Sequence, residues 1–131
     1  MFLDASAMIG IIAMEEDAAS LAGRLARARV RQTSAMAIFE ATTGLARIAN
    51  SPLGDALAVV NRFLTEIDAT VVAIDRDIGI AAVEAFARFG KGRHPAGLNM
   101  GDCFAYACAK QLDVPLLCKG NDFPRSDVGL G

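Results

Sequence analysis

The chain has a single histidine, and its three cysteines, Cys103, Cys108 and Cys118, form no C-x-x-C pair. A zinc site built from spaced His and Cys ligands is therefore excluded, and an odd cysteine count argues against a disulfide framework. The three thiols read as small buried hydrophobes. No G-x-G-x-x-G or G-x-x-x-x-G-K-[ST] occurs, which removes the phosphate cradles of dinucleotide and P-loop nucleotide binding. G-x-S-x-G is missing as well, so a serine hydrolase lacks its nucleophile elbow. The longest apolar run near the N-terminus, Ala5 to Met14, is too short to span a bilayer. It follows an acid and has no basic lead-in, which does not fit a secretory leader, and a cytoplasmic protein is expected.

What is present is apolar and acidic. Hydrophobic residues make up 53% of 131, enough for a layered core, and the composition does not break, so one domain over residues 1–131 is expected. The net charge of −2 excludes a general nucleic-acid coating protein. Two basic clusters stand out locally: Arg24, Arg27, Arg29 and Arg31, then Arg88, Lys91, Arg93 and His94. Each is explained at least as well by solvated helix ends as by a phosphate track.

Strands and helices alternate. Met1 to Leu3 reads as a buried strand, followed by a helix over Ala7 to Met14 with Ser6 as its cap. A second helix spans Glu15 to Arg29, and Val30 to Thr33 is a weak strand. Ser34 caps a long helix to Ala49, with Ile38, Ala41, Leu45 and Ile48 on one face. Ser51 and Pro52 start another to Glu66, making an antiparallel hairpin. TVVAI, Thr70 to Ile74, is the clearest strand. Asp75 caps a helix ending at Gly90, the loop GKGRHPAG follows, and Asn99 caps a nearly all-apolar, buried helix. Val114 to Cys118 is the last firm strand, and the tail offers an edge strand near Asp127 and Val128. The pattern predicts an α/β fold with a mostly parallel, short-stranded sheet flanked by helices.

Acids sit where these elements meet. Asp4 falls at a strand end, where local sequence favours a turn or cap role. Asp102 occupies the first turn of the buried helix, and Asp122 lies just past a strand. Ligands bind beyond the carboxyl ends of parallel strands, and two carboxylates there need a proton or a cation between them. Glu40 lies opposite the apolar stripe of its helix, beside Ala37, Thr43, Gly44 and Arg47. Periodicity alone makes it an exposed helix acid, although its small neighbours would allow close approach. His94 reads as a solvated loop residue rather than a base, and Tyr106 as core.

The segments MFLDASA, IFEATTGLARI, NMGDCFAYACAKQLDVPLLCKG and GNDFPRSDV together resemble the PIN-domain nucleases, and within them the VapC-type toxins. The resemblance covers essentially the whole chain in order. It implies a three-layer PIN fold and a metal-dependent endoribonuclease, the toxic component of a type II toxin–antitoxin system. By resemblance the acidic site comprises Asp4, Glu40, Asp102 and Asp122, with Asn121 and Asp127 as alternatives for the fourth position and Ser6 bonding within the site. Mg²⁺ or Mn²⁺ suits such oxygen donors. Asp4 and Asp102 are expected to hold the ion most directly, with Glu40 and Asp122 orienting water or holding a second one. Arg93, His94 and Lys119 are candidates to hold the RNA backbone. The implied partners are RNA, a VapB-type antitoxin lying on the helical region of residues 34–66, and a second copy of the chain. A non-toxin PIN nuclease and a catalytically weak interaction module are the competing readings.

Overall fold

A computed structural model describes residues 1–120 and 123–131. Four strands, β1 (Phe2–Leu3), β2 (Gln32–Ser34), β3 (Thr70–Val72) and β4 (Leu116–Leu117), form one parallel sheet in the order β3-β2-β1-β4. Between them run α1 (Ala5–Ile12), α2 (Ala18–Ala26), α3 (Ala35–Ala49), α4 (Leu53–Glu66), α5 (Arg76–Phe89) and α6 (Met100–Leu112).

The two-residue strands divide the core in a simple way. Successive side chains of a strand point to opposite faces. Phe2 and Leu116 accordingly join a cluster with α5 and α6, including Ile78, Phe89, Leu98, Tyr106 and Cys108. Leu3 and Leu117 join the other cluster with α1 to α4, including Met8, Leu21, Ala41 and Val60. All four strand residues are fully buried, so the sheet is the middle of three layers. The three cysteines are buried, as their chemistry suggested.

The chain leaves β1 through α1 and α2 to β2 on one side, whereas β4 pairs with β1 on the other. The strand order therefore reverses at the β1–β4 pair, which opens a crevice at the carboxyl edge of those strands.

Several boundaries differ from expectation. Helix α1 begins two residues earlier than Ala7 because Asp4, not Ser6, is its cap, its carboxylate accepting from the Ser6 N–H. Helix α2 is shorter than Glu15 to Arg29, and the cap of α4 is Pro52 rather than Ser51. The β-branched segment TVV forms the exposed edge strand β3, while β1 and β4 are apolar but only two residues long and the central β2 is the polar segment QTS. The tail makes a 3-10 turn at Phe123–Arg125, then a single parallel bridge from Leu130 to Leu116 instead of an edge strand near Val128. Among the described residues no helix is long and apolar enough to cross a membrane.

The first basic cluster separates into two roles. Arg31 turns inward, its guanidinium donating to the Leu25 carbonyl at 3.1 Å, the Ala26 carbonyl at 3.3 Å and the Ile67 carbonyl at 3.0 Å. It thus caps the end of α2 and the end of α4 from the same fork. Arg24, Arg27 and Arg29 instead border a surface recess with Met1 and Pro115, at the edge of the sheet where β1 and β4 begin. Removing the Arg31 fork leaves two part-buried acceptors and one exposed acceptor short of donors. Arg31→Ala is expected to lower stability by about 1–3 kcal/mol in urea unfolding, and Arg31→Lys to recover little of it because an ammonium cannot reproduce the fork.

Candidate active site

Asp4 stands where β1 ends and α1 begins, 4% exposed. Its backbone N–H donates to the Leu117 carbonyl at 3.0 Å, which fixes it to β4. Its Oδ2 accepts from the Ser6 N–H at 3.1 Å and the Ser6 hydroxyl at 2.5 Å. The Ser6 oxygen in turn accepts from the Lys119 N–H at 2.9 Å. Burial pushes the Asp4 carboxyl above its ordinary range, and the Ser6 bonds oppose that shift.

Glu40 arrives from α3, which Ser34 caps through the Ala37 N–H at 3.2 Å. Asp102 arrives from α6 in a reciprocal cap: the Asn99 side chain accepts from the Asp102 N–H at 2.9 Å, and Asp102 Oδ2 accepts from the Asn99 N–H at 3.1 Å. The junction of α3 and α6 is closed by a missing side chain. A Cβ on Gly101 would overlap the Glu40 carboxylate. Gly44, the small neighbour noted in the sequence, serves a different contact, since a Cβ there would lie 2.6 Å from Ile9 Cδ1.

Asp4, Ser6, Glu40 and Asp102 line one open cleft of about 390 Å³, with Ile9, Thr43, Gly44, Arg47 and Asn99. Glu40 is half-buried rather than an exposed helix acid, and its carboxyl is pushed up to about 7, first by burial and then by the charges of Asp4 and Asp102. Neither Asp4 nor Glu40 forms an ion pair with a described residue. Burial and Asp102 push the nearby Cys103 thiol up to about 11, which leaves it protonated and inert at neutral pH.

The other candidates fall elsewhere. Arg93 stacks over the Phe86 ring at 5.4 Å and does not line the cleft. His94 is locked into its own loop: its Nδ1 accepts from the Ala96 N–H at 3.0 Å, and its ring meets Phe89 edge-on at 5.1 Å. The Lys119 ammonium is held by Glu15 and lies 3.5 Å from Asp17 Oδ1. Asp127 accepts from the Tyr106 hydroxyl and pairs with Arg88 Nη2 at 3.3 Å and Lys110 Nζ at 3.6 Å, which holds its carboxyl below the usual range. It ties the tail to α5 and α6 and does not line the cleft, so it is no candidate for the fourth position. Asn121 and Asp122 lie outside the described residues. The sequence reading assigned no role to Arg47, the only basic side chain lining the cleft among the described residues. Its signal was available, since residues 40, 43, 44 and 47 recur on one helical face.

Among the described residues no three His, Cys, Asp or Glu side chains are grouped closely enough to hold one metal ion. The donor set nevertheless fits a hard divalent cation. It offers carboxylate oxygen, two of its acids have raised affinity for protons, and Mg²⁺ commonly takes only one or two carboxylates and keeps several waters.

The PIN-domain family model matches residues 1–128. The chain belongs to the PIN-domain family. Its relatives place it with the VapC-type members: it is 41% identical to a ribonuclease VapC of Mycolicibacterium smegmatis, over 98% of this chain and 97% of that one. It is 37% identical to a VapC ribonuclease of Rhizobium meliloti, over 98% and 99% of the two chains, and 40% identical to ribonuclease VapC28 of Mycobacterium tuberculosis, over 98% and 95%. The crystal structure of Mycobacterium tuberculosis VapC20, described as a sarcin-ricin loop cleaving toxin, superposes with a TM-score of 0.78 at 18% identity, over 97% of this chain and 95% of that one. That likeness bears on the fold.

Two outcomes follow for this PIN domain. Glu40 holds its proton up to about 7 in the fold but only to the ordinary 4.5 when unfolded. The folded chain thus binds the extra proton between those values. Metal-free stability should be greatest below the unfolded value and fall as pH rises through the folded one, with Asp4 acting in the same direction. Carboxyl ¹³C titration should place Glu40 near 7 and show it lower in Asp102→Asn. Gly101→Ala displaces only the end of a flexible side chain. It should cost less than about 1 kcal/mol in unfolding yet move the Glu40 titration toward its ordinary value.

Proposed function

We propose that this chain is the toxic component of a type II toxin–antitoxin pair, an endoribonuclease that needs Mg²⁺ or Mn²⁺. The observation that carries the reading is the meeting of Asp4, Glu40 and Asp102 in one cleft at the sheet's reversal point, where Glu40 keeps its proton to about 7. The names of its VapC relatives support ribonuclease activity, and the toxin role rests on the same kinship.

Asp4 and Asp102 are the residues that would hold the ion, with Glu40 and, by the family resemblance, Asp122 orienting water or holding a second one. When bound, the cation supplies Lewis-acid charge against the phosphate and makes water acidic enough to deprotonate near neutral pH. The hydrolysis this would serve joins a water oxygen to phosphorus as the P–O bond to one ribose oxygen breaks, with the proton lost by water passing to that leaving oxygen. Ser6 keeps Asp4 aimed into the cleft by its hydroxyl donation. Arg47, on the cleft wall, is placed to draw the RNA phosphates against the acids. Target choice comes from RNA shape and unpaired loops, since the cleft presents no aromatic platform among the described residues.

The antitoxin belongs on the α3–α4 hairpin. A recess of about 450 Å³ there is lined by Ile12, Leu45, Ile48, Ala56 and Val59. It adjoins the cleft through α3, because Arg47 faces the acids and Ile48 the recess. A short apolar segment in the recess could extend a basic side chain to the carboxylates. Association into a homodimer and action in the cytoplasm complete the reading.

The test is cleavage of a structured RNA by the purified chain. Activity should require Mn²⁺ or Mg²⁺, stop with EDTA, and fall by about 10²-fold or more in Asp4→Asn and Asp102→Asn, as expected when a group stabilising transition-state charge is lost. Cleavage that survives EDTA or Asp102→Asn would refute the metal mechanism. A chain that neither cleaves RNA nor binds Mn²⁺ in calorimetry would be an interaction module instead.

A further inference from the structure

Sequence reading offered Lys119 as a hand for RNA phosphate, and the structure gives it another partner. We propose that Lys119 is a positioning residue, whose side chain straps the turn after β4 along α1 and so fixes Ser6 and, through it, the acid Asp4. The inference rests on the ribonuclease reading of that cleft.

The strap has two ends. At the first, the Lys119 N–H donates to Ser6 Oγ at 2.9 Å, and that hydroxyl donates to Asp4 Oδ2 at 2.5 Å. A serine hydroxyl carries one proton. With the Lys119 N–H filling an acceptor position on its oxygen, the proton is directed at Asp4. At the second end, the Lys119 ammonium is bound by Glu15 and lies 3.5 Å from Asp17 Oδ1. These acids stand over Gly10, where a Cβ would lie 3.7 Å from Asp17 Oδ1 and 3.8 Å from Glu15 Oε2. Gly10 is one turn beyond Ser6 on the same face of α1. The Lys119 side chain therefore runs the length of that turn, from Ser6 to the loop joining α1 and α2.

The strand ladder leading into the turn is short. Strand β4 is two residues long, and its last described ladder bond toward β1 is the Leu117 carbonyl accepting from the Asp4 N–H at 3.0 Å. Beyond it, Gly120 adopts φ +97°, a backbone conformation that favours glycine. Asp17 Oδ1 is buried without a hydrogen-bond partner among the described residues, so the ammonium is the charge that faces it. An ammonium already engaged by two carboxylates is neutralised before any phosphate arrives.

The test compares Lys119→Met, the double variant Glu15→Gln/Asp17→Asn, and Lys119→Arg in the full chain. Amide exchange at Lys119, followed by NMR without metal, should accelerate about fivefold to tenfold in the first two, the loss of roughly one net hydrogen bond, and stay slow in Lys119→Arg. RNA cleavage should lose about tenfold in kcat in the first two while KM and the salt dependence of RNA binding hold steady. The proposal is overturned if Lys119→Met weakens RNA binding and reduces the salt slope by about one while the double variant does not, which is the signature of a phosphate contact. Unchanged amide exchange in all three variants overturns it as well. Because exchange is read without RNA or metal, a wild-type chain that cleaves nothing refutes the ribonuclease reading and leaves the strap decided on its own measurement.

Discussion

A carboxylate kept out of water at the end of a central strand is the constraint around which this molecule is arranged. Asp4 cannot retreat, because its N–H belongs to the ladder with β4 and its side chain begins α1. Burial disfavours its charge, and hydrogen bonds from Ser6 offset only part of that. The same carboxylate raises the proton affinity of Glu40, and Asp102 adds to it. Three helices thus deliver like charges to a crevice that helix capping alone would have let them avoid. Structure built only for stability has no use for that repulsion, and a cation removes it.

The short strands make such delivery possible. A sheet of two- and three-residue strands contributes few hydrogen bonds, so its order depends on the helices packed over both faces. In return, strand ends and helix starts almost coincide: Asp4 follows Leu3 directly and precedes Ala5, the first residue of α1. An acid at that junction can be buried, capped and turned toward the crevice at once. On either side of residues 121–122 the described chain is anchored by side chains, Lys119 to Glu15 and Asp127 to Tyr106.

The legible part of this was what depends on local patterns. The caps Ser34, Asp75 and Asn99 and the helices they start were visible because capping chemistry is local. The parallel α/β order followed from alternation, which put Asp4 and Asp102 at element ends, although local sequence favoured a turn or cap role for Asp4 and only the family resemblance gave it a place in the site. Glu40 was not legible from periodicity, which puts it away from the apolar stripe. That stripe was also rotated in the fold: Ile48 is 54% exposed, while Thr42 and Gly44 are buried. Its surroundings were set by Gly101, 61 positions further along the chain, and no local pattern records such a contact. Arg93, His94 and Lys119 were grouped with the site by charge and sequence proximity. Their partners Phe86, Ala96 and Glu15 are fold-specific.

The contact of Glu40 with Gly101 also bears on how the site balances two demands. If Glu40 were solvated, its proton would leave near 4.5, and its charge would add to the repulsion of an incoming phosphodiester at every physiological pH. Packed on the bare backbone of Gly101, it ionises only near neutrality, so one charge is added when a cation or a basic side chain is present to answer it. The empty side-chain position at residue 101 therefore acts on chemistry through electrostatics. A larger residue there would leave all the acids in place and still change what they do, because the proton affinity of Glu40 comes from where it is held and not from the carboxylate itself.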